Sequence, residues 1–317
     1  MPRNVLKRST GMTFAREVRC VQGVPGGEMR KILSALAMGG FVAAVSADQS
    51  FAAPFTFDTG PATNQIAVAT RPGIGGNFEI EAGDDFILNQ ETRITSATFT
   101  GLITGTSSLS NINDVVVEIY RVFPNDSNVG RTSGPPTFST SQVPTRVNSP
   151  SDVEFDSRDS LASTLSYTGS VLAASLTANN SIQPGGIHPT PGQTTGGNGP
   201  ATGEEVQFNV TFSTPFDLPA DHYFFVPQVG LSTSDSFLWL SGQRPTNPPF
   251  TPDLQSWTRD QFLDPDWLRV GTDIVGAGTF NQAFSIAGDT VVPEPGSATL
   301  LASTLIGLGF WRVRRRL

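Results

Sequence analysis

The chain has 317 residues, of which 38% are hydrophobic and 15% charged, whereas a soluble domain usually carries about 25% charged residues. Its 32 glycines and 24 prolines exceed average usage, which excludes a coiled coil, a long-helix bundle and a simple disordered polyelectrolyte. The formal charge of −8 hides an uneven distribution: between Ala53 and Val292 there are 9 Arg, no Lys and 24 Asp plus Glu, a net −15. Such a surface argues against nucleic acid, whose binding needs a basic patch, and it repels anionic lipid headgroups. It suits solubility outside the cell and cation binding.

In chain order, the first predicted element is a secretory signal. Arg30 and Lys31 form a basic start after Met29, Ile32 to Ala47 form an apolar stretch, and Ser50-Phe51-Ala52 fits the small-x-small cleavage pattern, with Ala52 the last residue removed. Residues 1–28 sit badly in front of such a signal. Gly26-Gly27-Glu28 requires purine-rich codons just before Met29, so 1–28 reads as a leader upstream of the true start and 29–52 as the signal peptide. Cys20, the one cysteine, lies in that leader. The exported body therefore has no disulfide and is held by its core alone, for which about 240 residues suffice.

Period-2 alternation marks half-buried strands at 65–70, 85–89, 93–103, 114–123, 171–177, 206–212, 222–229, 236–240 and 282–286. Val206, Phe208, Val210 and Phe212 mark one inward face. Tyr223 and Phe225 lie on one side of their strand and Phe224 and Val226 on the other, as in a strand buried on both faces of a layered fold. Residues 178–204 read as a long Gly/Pro-rich surface loop. Residues 242–268 are irregular but carry Trp257, Phe262 and Trp267, which predicts that they pack down. The body, 53–292, is thus expected to be all-β, an antiparallel sandwich of jelly-roll type.

Chemistry is sparsely marked. His188 and His222 are the only histidines, no G-x-S-x-G surrounds a serine, and no zinc pattern exists. His188 reads as a solvent-exposed loop residue and His222 as making a local hydrogen bond at a strand start. Asp152, Glu154 and Asp156 fall on alternate positions and offer a hard-cation set for Ca2+, although the D-x-D-x-D-G loop is absent and Arg158 stands ready to pair locally. Asp84-Asp85 and Asp264-Pro-Asp266 form further acidic clusters. Glu118, Glu154, Glu204 and Glu205 are the carboxylates a glycosidase would draw on. Trp257 and Trp267, beside Asp253, Asp260, Asp264 and Asp266, could present flat faces to a glycan, or form a satellite core.

At the C-terminus, Pro293-Glu294-Pro295 leads into an apolar run ending at Trp311, closed by Arg312, Arg314, Arg315 and Arg316. The run is shorter than the roughly 20 residues that cross a bilayer comfortably, and snorkelling arginines can make up the difference. It is expected to form a transmembrane helix whose basic end faces the cytoplasm. These three features in order resemble the PEP-CTERM sorting signal. The same region is also labelled an ice-binding-protein C-terminal domain, a name that brings no ice binding with it. The resemblance covers residues 293–317. It implies export by a Gram-negative bacterium, processing near the motif by an exosortase-type membrane protease, and association with exopolysaccharide or biofilm. Carried over by position, Pro293, Glu294 and Pro295 are the recognition motif and the four arginines the stop-transfer cluster.

The sequence as a whole reads as a non-enzymatic protein of the cell envelope, outer surface or extracellular matrix. A carbohydrate-binding module, calcium-dependent or not, is the alternative, and a glycan-acting hydrolase the third.

Overall fold

The computed structural model describes residues 50–126, 148–151, 153–187, 194–244, 254–262, 267–276 and 278–292. In chain order the strands are β1 (Ser50–Asp58), β2 (Ala67–Ala69), β3 (Ile80–Leu88), β4 (Thr92–Thr104), β5 (Ile112–Arg121), β6 (Asp156–Asp159), β7 (Leu165–Ala178), β8 (Ser181–Ile182), β9 (Ala201–Leu218), β10 (Asp221–Leu231), β11 (Phe237–Gly242), β12 (Trp257–Asp260), β13 (Leu268–Arg269), β14 (Asn281–Gln282) and β15 (Phe284–Val292). Helix among the described residues is limited to a 3-10 turn at Leu109–Asn111 and a π turn at Val270–Val275.

Two sheets result, nine-stranded and six-stranded. All their pairings are antiparallel except β2 with β8, which is parallel. In the first sheet β4 is the axis. β9 follows one side of it over most of its length; the other side is shared by β15, opposite Thr92–Phe99, and β11, opposite Gly101–Ile103. β1 extends the sheet beyond β15 and β7 extends it beyond β9. The second sheet runs β13-β12-β3-β10-β5-β6.

The alternation seen in the sequence decides which faces meet. Val206, Phe208, Val210 and Phe212 are all buried, and Phe208 stacks on Phe99 of the neighbouring strand with centroids 4.8 Å apart. From the second sheet, Phe225 stacks on Phe284 of the first at 5.1 Å and meets Trp239 edge-on at 6.1 Å. The Trp239 indole N–H donates to the Ala283 carbonyl at 3.0 Å, so the largest side chain of this core leaves no polar atom stranded. Burying side chains of this kind contributes roughly 1.5–3 kcal/mol each, which is how a body without disulfides stays folded.

β10 is buried on both faces, as its sequence predicts. Tyr223 and Phe225 belong to the main core, while Phe224 and Val226 join Tyr120, Trp257 and Trp267 in a second cluster on the outer face of the six-stranded sheet. Leu254, Trp257 and Trp267 supply that cover. The expectation of a loop over 178–204 is corrected at its ends, because β8 occupies 181–182 and β9 already begins at Ala201. The aromatic-rich stretch 242–268 does pack down at Trp257 and Trp267, but Phe262 is 69% exposed, resting on Phe78 at 5.2 Å between centroids.

The expected cleavage position, Ala52, falls within β1. The continuous register of that strand, Pro54–Asp58 opposite Asp289–Ser285, lies downstream of it. The readings of 1–28, of most of the signal peptide and of 293–317, including Pro293, Glu294, Pro295, Arg312, Arg314, Arg315 and Arg316, concern residues outside those described. Among the described residues no helix is long and apolar enough to cross a membrane.

The register between β4 and β15 shifts between Ala287 and Gly288. A Cβ on Gly288 would collide with the Arg93 carbonyl, so the two strands approach this closely only because residue 288 has no side chain. Gly288→Ala is therefore expected to lower stability by about 1–3 kcal/mol in urea unfolding. An unchanged midpoint would mean that the bulge relaxes freely.

Candidate functional site

The outer face of the six-stranded sheet carries a polar cluster at the margin of its aromatic cover. Glu81 on β3 stands opposite Arg259 on β12, and both are 4% exposed. Arg259 Nε donates to Glu81 Oε2, and Nη2 donates to Oε1 at 3.0 Å, a bidentate fork of the kind that suits a buried ion pair. The guanidinium lies 4.4 Å from the Trp267 ring centroid and 5.3 Å from that of Tyr120. Tyr120, on β5, donates its hydroxyl to Glu81 Oε1 and lies 3.2 Å from Glu118 Oε2.

Glu81 and Glu118 thus reach across β10 from its two neighbours, β3 and β5. Glu79, just before β3, completes a trio whose carboxylate oxygens lie within 4.8 Å of one another. Gln228, on β10 between them and fully buried, donates Nε2 to Glu79 Oε1 at 3.2 Å.

The two central carboxyls are driven apart electrostatically. Burial by itself would raise Glu81, but the charge of Arg259 and the hydrogen bonds from Arg259 and Tyr120 outweigh it and hold the carboxyl below the usual glutamate range. Glu118 is pushed well above that range by burial and by the neighbouring charges of Glu81 and Glu79. Tyr120 is raised as well, by burial and by the same two carboxylates that accept from it or lie beside it.

Glu118 therefore keeps its proton in the folded chain to higher pH than in the unfolded one. Its contribution to stability is full below the ordinary glutamate range and is lost as pH rises through the raised value. As pH rises above the ordinary glutamate range, the melting midpoint should fall more steeply than in Glu118→Gln; equal slopes would place Glu118 in water.

The structure keeps Trp257 and Trp267 together in one cluster and sends Asp84 and Asp85 to different partners. Of the calcium set, Asp152 lies outside the described residues, Glu154 is exposed, and Asp156 accepts from Arg158 Nη1 at 2.5 Å and Nη2 at 2.9 Å. Arg158 also sits 4.1 Å over the Phe216 ring. Asp156 is thus held by a local cation, the pairing for which Arg158 stood ready.

Of the two readings of the tryptophans, burial favours the satellite core. Trp257 is 3% exposed and Trp267 0%, and Trp267 Nε1 donates to the Ser151 carbonyl at 3.0 Å. Both are satellite core, with no flat face turned to solvent. Asp84 and Asp85, adjacent on a strand, point to opposite faces: Asp84 Oδ2 accepts from the Gln282 amide at 2.7 Å, whereas Asp85 accepts from the Leu254 amide at 2.9 Å and contacts His222 Nε2 at 2.6 Å. His222 makes the expected local hydrogen bond at its strand start, its backbone N–H donating to Asp221 Oδ1 at 2.8 Å, and its ring adds the cross-strand contact to Asp85. His188, Asp253, Asp264 and Asp266 lie outside the described residues.

Of the cluster, sequence reasoning singled out only Glu118. The available signal was an acid at Glu81 inside Ile80–Leu88, a strand whose other positions are almost entirely buried. A charged residue in such a strand requires a partner.

Chemically the arrangement is built to hold charge in place. Tyr120 bridges the two central carboxyls directly, and their oxygens lie closer together than the roughly 5–5.5 Å that retaining glycosidases set between their acids. Comparison with protein-family models, with curated proteins and with solved structures found no match.

Proposed function

We propose that the chain is an exported, non-enzymatic protein of the cell envelope or extracellular matrix, carried there by a PEP-CTERM-type tail and working beside exopolysaccharide. The observation that carries this reading is the ordered terminal sequence Pro293-Glu294-Pro295, apolar run, arginine cluster. Two features of the body support it. The last described strand, β15, runs to Val292, directly ahead of the motif. The body's net charge of −15 with no lysine keeps it soluble beside an anionic surface, leaving membrane contact to the terminal helix.

The strand order supports the finer reading of the body as a jelly-roll sandwich. Taking β1, β3, β4, β5, β6, β9, β10 and β15 as the principal strands one to eight, the sheets run 1-8-3-6 and 2-7-4-5, an interleaving of two Greek keys. In this reading the signal helix precedes the sandwich, the transmembrane helix follows it, and an exosortase-type protease is the processing partner. Glycan binding, if the body has it, uses surfaces other than Trp257 and Trp267.

Replacing Pro293, Glu294 and Pro295 together with alanine in the producing cell tests the reading. The expected result is an unprocessed, membrane-retained chain in cell fractionation and by intact mass. Normal processing and delivery of the variant would refute it.

A further inference from the structure

We propose that β7 pairs with the same strand of a second copy of this chain, edge to edge and antiparallel, joining two nine-stranded sheets across a two-fold axis. The inference owes nothing to the sorting tail.

The last strand of a sheet presents a row of unpaired backbone N–H and C=O groups, and folded proteins guard such edges with short strands, charges, prolines or bulges. The other edges here carry those guards. β8, β13 and β14 are two residues each. β6 is Asp-Ser-Arg-Asp, with three of its four side chains charged. β1 contains Pro54 and a register shift between Phe51 and Pro54.

β7 differs from all of these. It runs for 14 residues, Leu165–Ala178, without a proline or a charged side chain. Among the described residues it pairs with β9 alone. Its register with β9 is unbroken from Leu165 to Val171, opposite Phe212 to Val206, and the shifts come only beyond Val171.

A second observation falls on the same edge. Of the four large hydrophobic side chains exposed among the described residues, two are on β7, Val171 at 48% and Leu172 at 52%. A third, Leu161 at 67%, lies in the turn that leads into it. Exposed apolar side chains are ordinary when scattered and mark a contact surface when gathered. Here they gather on the one long edge that has no proline or charge to guard it.

The strand itself selects a second copy as its occupant. Antiparallel pairing of a strand with its own copy is closed by a two-fold axis, so one patch serves both partners. With the axis at Gly169, Tyr167 opposes Val171 of the second copy and Thr168 opposes its Ser170, and each pair occurs twice. An aromatic ring against a β-branched side chain, and one hydroxyl against another, are both stabilising cross-strand pairs. The pairing also covers Val171, which is about half exposed in the single chain. Charge points the same way. The body carries a net −15, so two copies repel each other over most of their surface, whereas β7 brings no acid to the contact.

The regular stretch from Leu165 to Val171 spans roughly 24 Å at an antiparallel rise of about 3.4 Å per residue. That places the contact at the small end of specific interfaces. A dimer in equilibrium with monomer at micromolar concentration is the expected state.

The test is sedimentation velocity of the purified full chain in mild detergent across the micromolar range, joined to amide hydrogen exchange of β7. The expected result is a reversible monomer–dimer equilibrium, with exchange in residues 165–171 slowing as concentration rises. Thr168→Glu and Ser170→Glu set like charges across the axis and should each weaken dimerisation by about tenfold or more. Asn209→Glu puts the same charge one strand inward, opposite Thr168, and should dimerise as the parent does. All three positions are exposed, so the melting temperature should hold in each, and if one edge variant fails to fold the other carries the comparison.

A chain that stays monomeric throughout would overturn the pairing. So would a dimer that survives both edge variants, or one that Asn209→Glu abolishes. β7 amides protected equally at every concentration would overturn it too, since another segment of the same chain would then cover the edge.

Discussion

Replacing Arg259 with methionine is expected to destabilise the body by about 3–5 kcal/mol, measured as the free energy of urea unfolding. The size follows from what the substitution leaves behind. Glu81 is 4% exposed and receives both arms of the Arg259 fork. Without the guanidinium its carboxylate stays in the sheet with the Tyr120 hydroxyl as its remaining donor and the Glu118 carboxyl beside it. It must then either remain ionised at high cost or take up a proton. Arg259 also covers the Trp267 ring at 4.4 Å, so packing is lost along with charge.

The double variant Arg259→Met/Glu81→Leu should recover most of the loss, since removing both partners of a buried pair is often close to neutral. A loss below about 1 kcal/mol in the single variant would match a solvated surface pair and would contradict the burial on which the site description rests.

Truncating Trp267 to alanine is expected to cost about 3–5 kcal/mol. Its ring is fully buried, meets Tyr120 edge-on at 5.5 Å, and anchors its N–H on the Ser151 carbonyl. The substitution therefore opens a cavity under the segment that closes the outer face of the six-stranded sheet and strands the Ser151 acceptor. The same variant separates two roles for this residue. A sugar platform would lose glycan binding in a pull-down while its melting temperature held. A core residue loses stability first, which is the outcome expected here.

The sequence exposes the long one-faced strands because their chemistry is local. In β9 the four buried positions Val206, Phe208, Val210 and Phe212 recur with period two, and in β10 apolar residues fill both faces. Short strands lack that signature. β6 is Asp-Ser-Arg-Asp, with no apolar residue to reveal it; it pairs with β5 along the backbone, and Arg158 ties it to the Thr214 and Pro215 carbonyls of β9. β12, Trp-Thr-Arg-Asp, exists because Arg259 finds Glu81, 178 positions earlier. β1 was hidden for another reason, since its first residues also spell a cleavage pattern.

The candidate site is illegible for the same cause. Glu81, Glu118, Gln228 and Arg259 come from four strands, and nothing in the spacing of any one segment says that they converge. Sequence reasoning looked for calcium ligands where acids were dense, at 152–156. The structure instead brings Glu81 and Glu118 together from two strands far apart in sequence. Density of like charge along a chain is relieved by solvent, whereas convergence inside a sheet is not.

Ending the chain after Val292, with the signal peptide retained, and following both melting and cellular location is the most direct test of the central claim that the tail is an address separate from the folded body. The account predicts the same melting temperature as the full chain and release of the body into the soluble exported fraction. A truncated protein that melts markedly lower, or one delivered to the same place as the full chain, would contradict it.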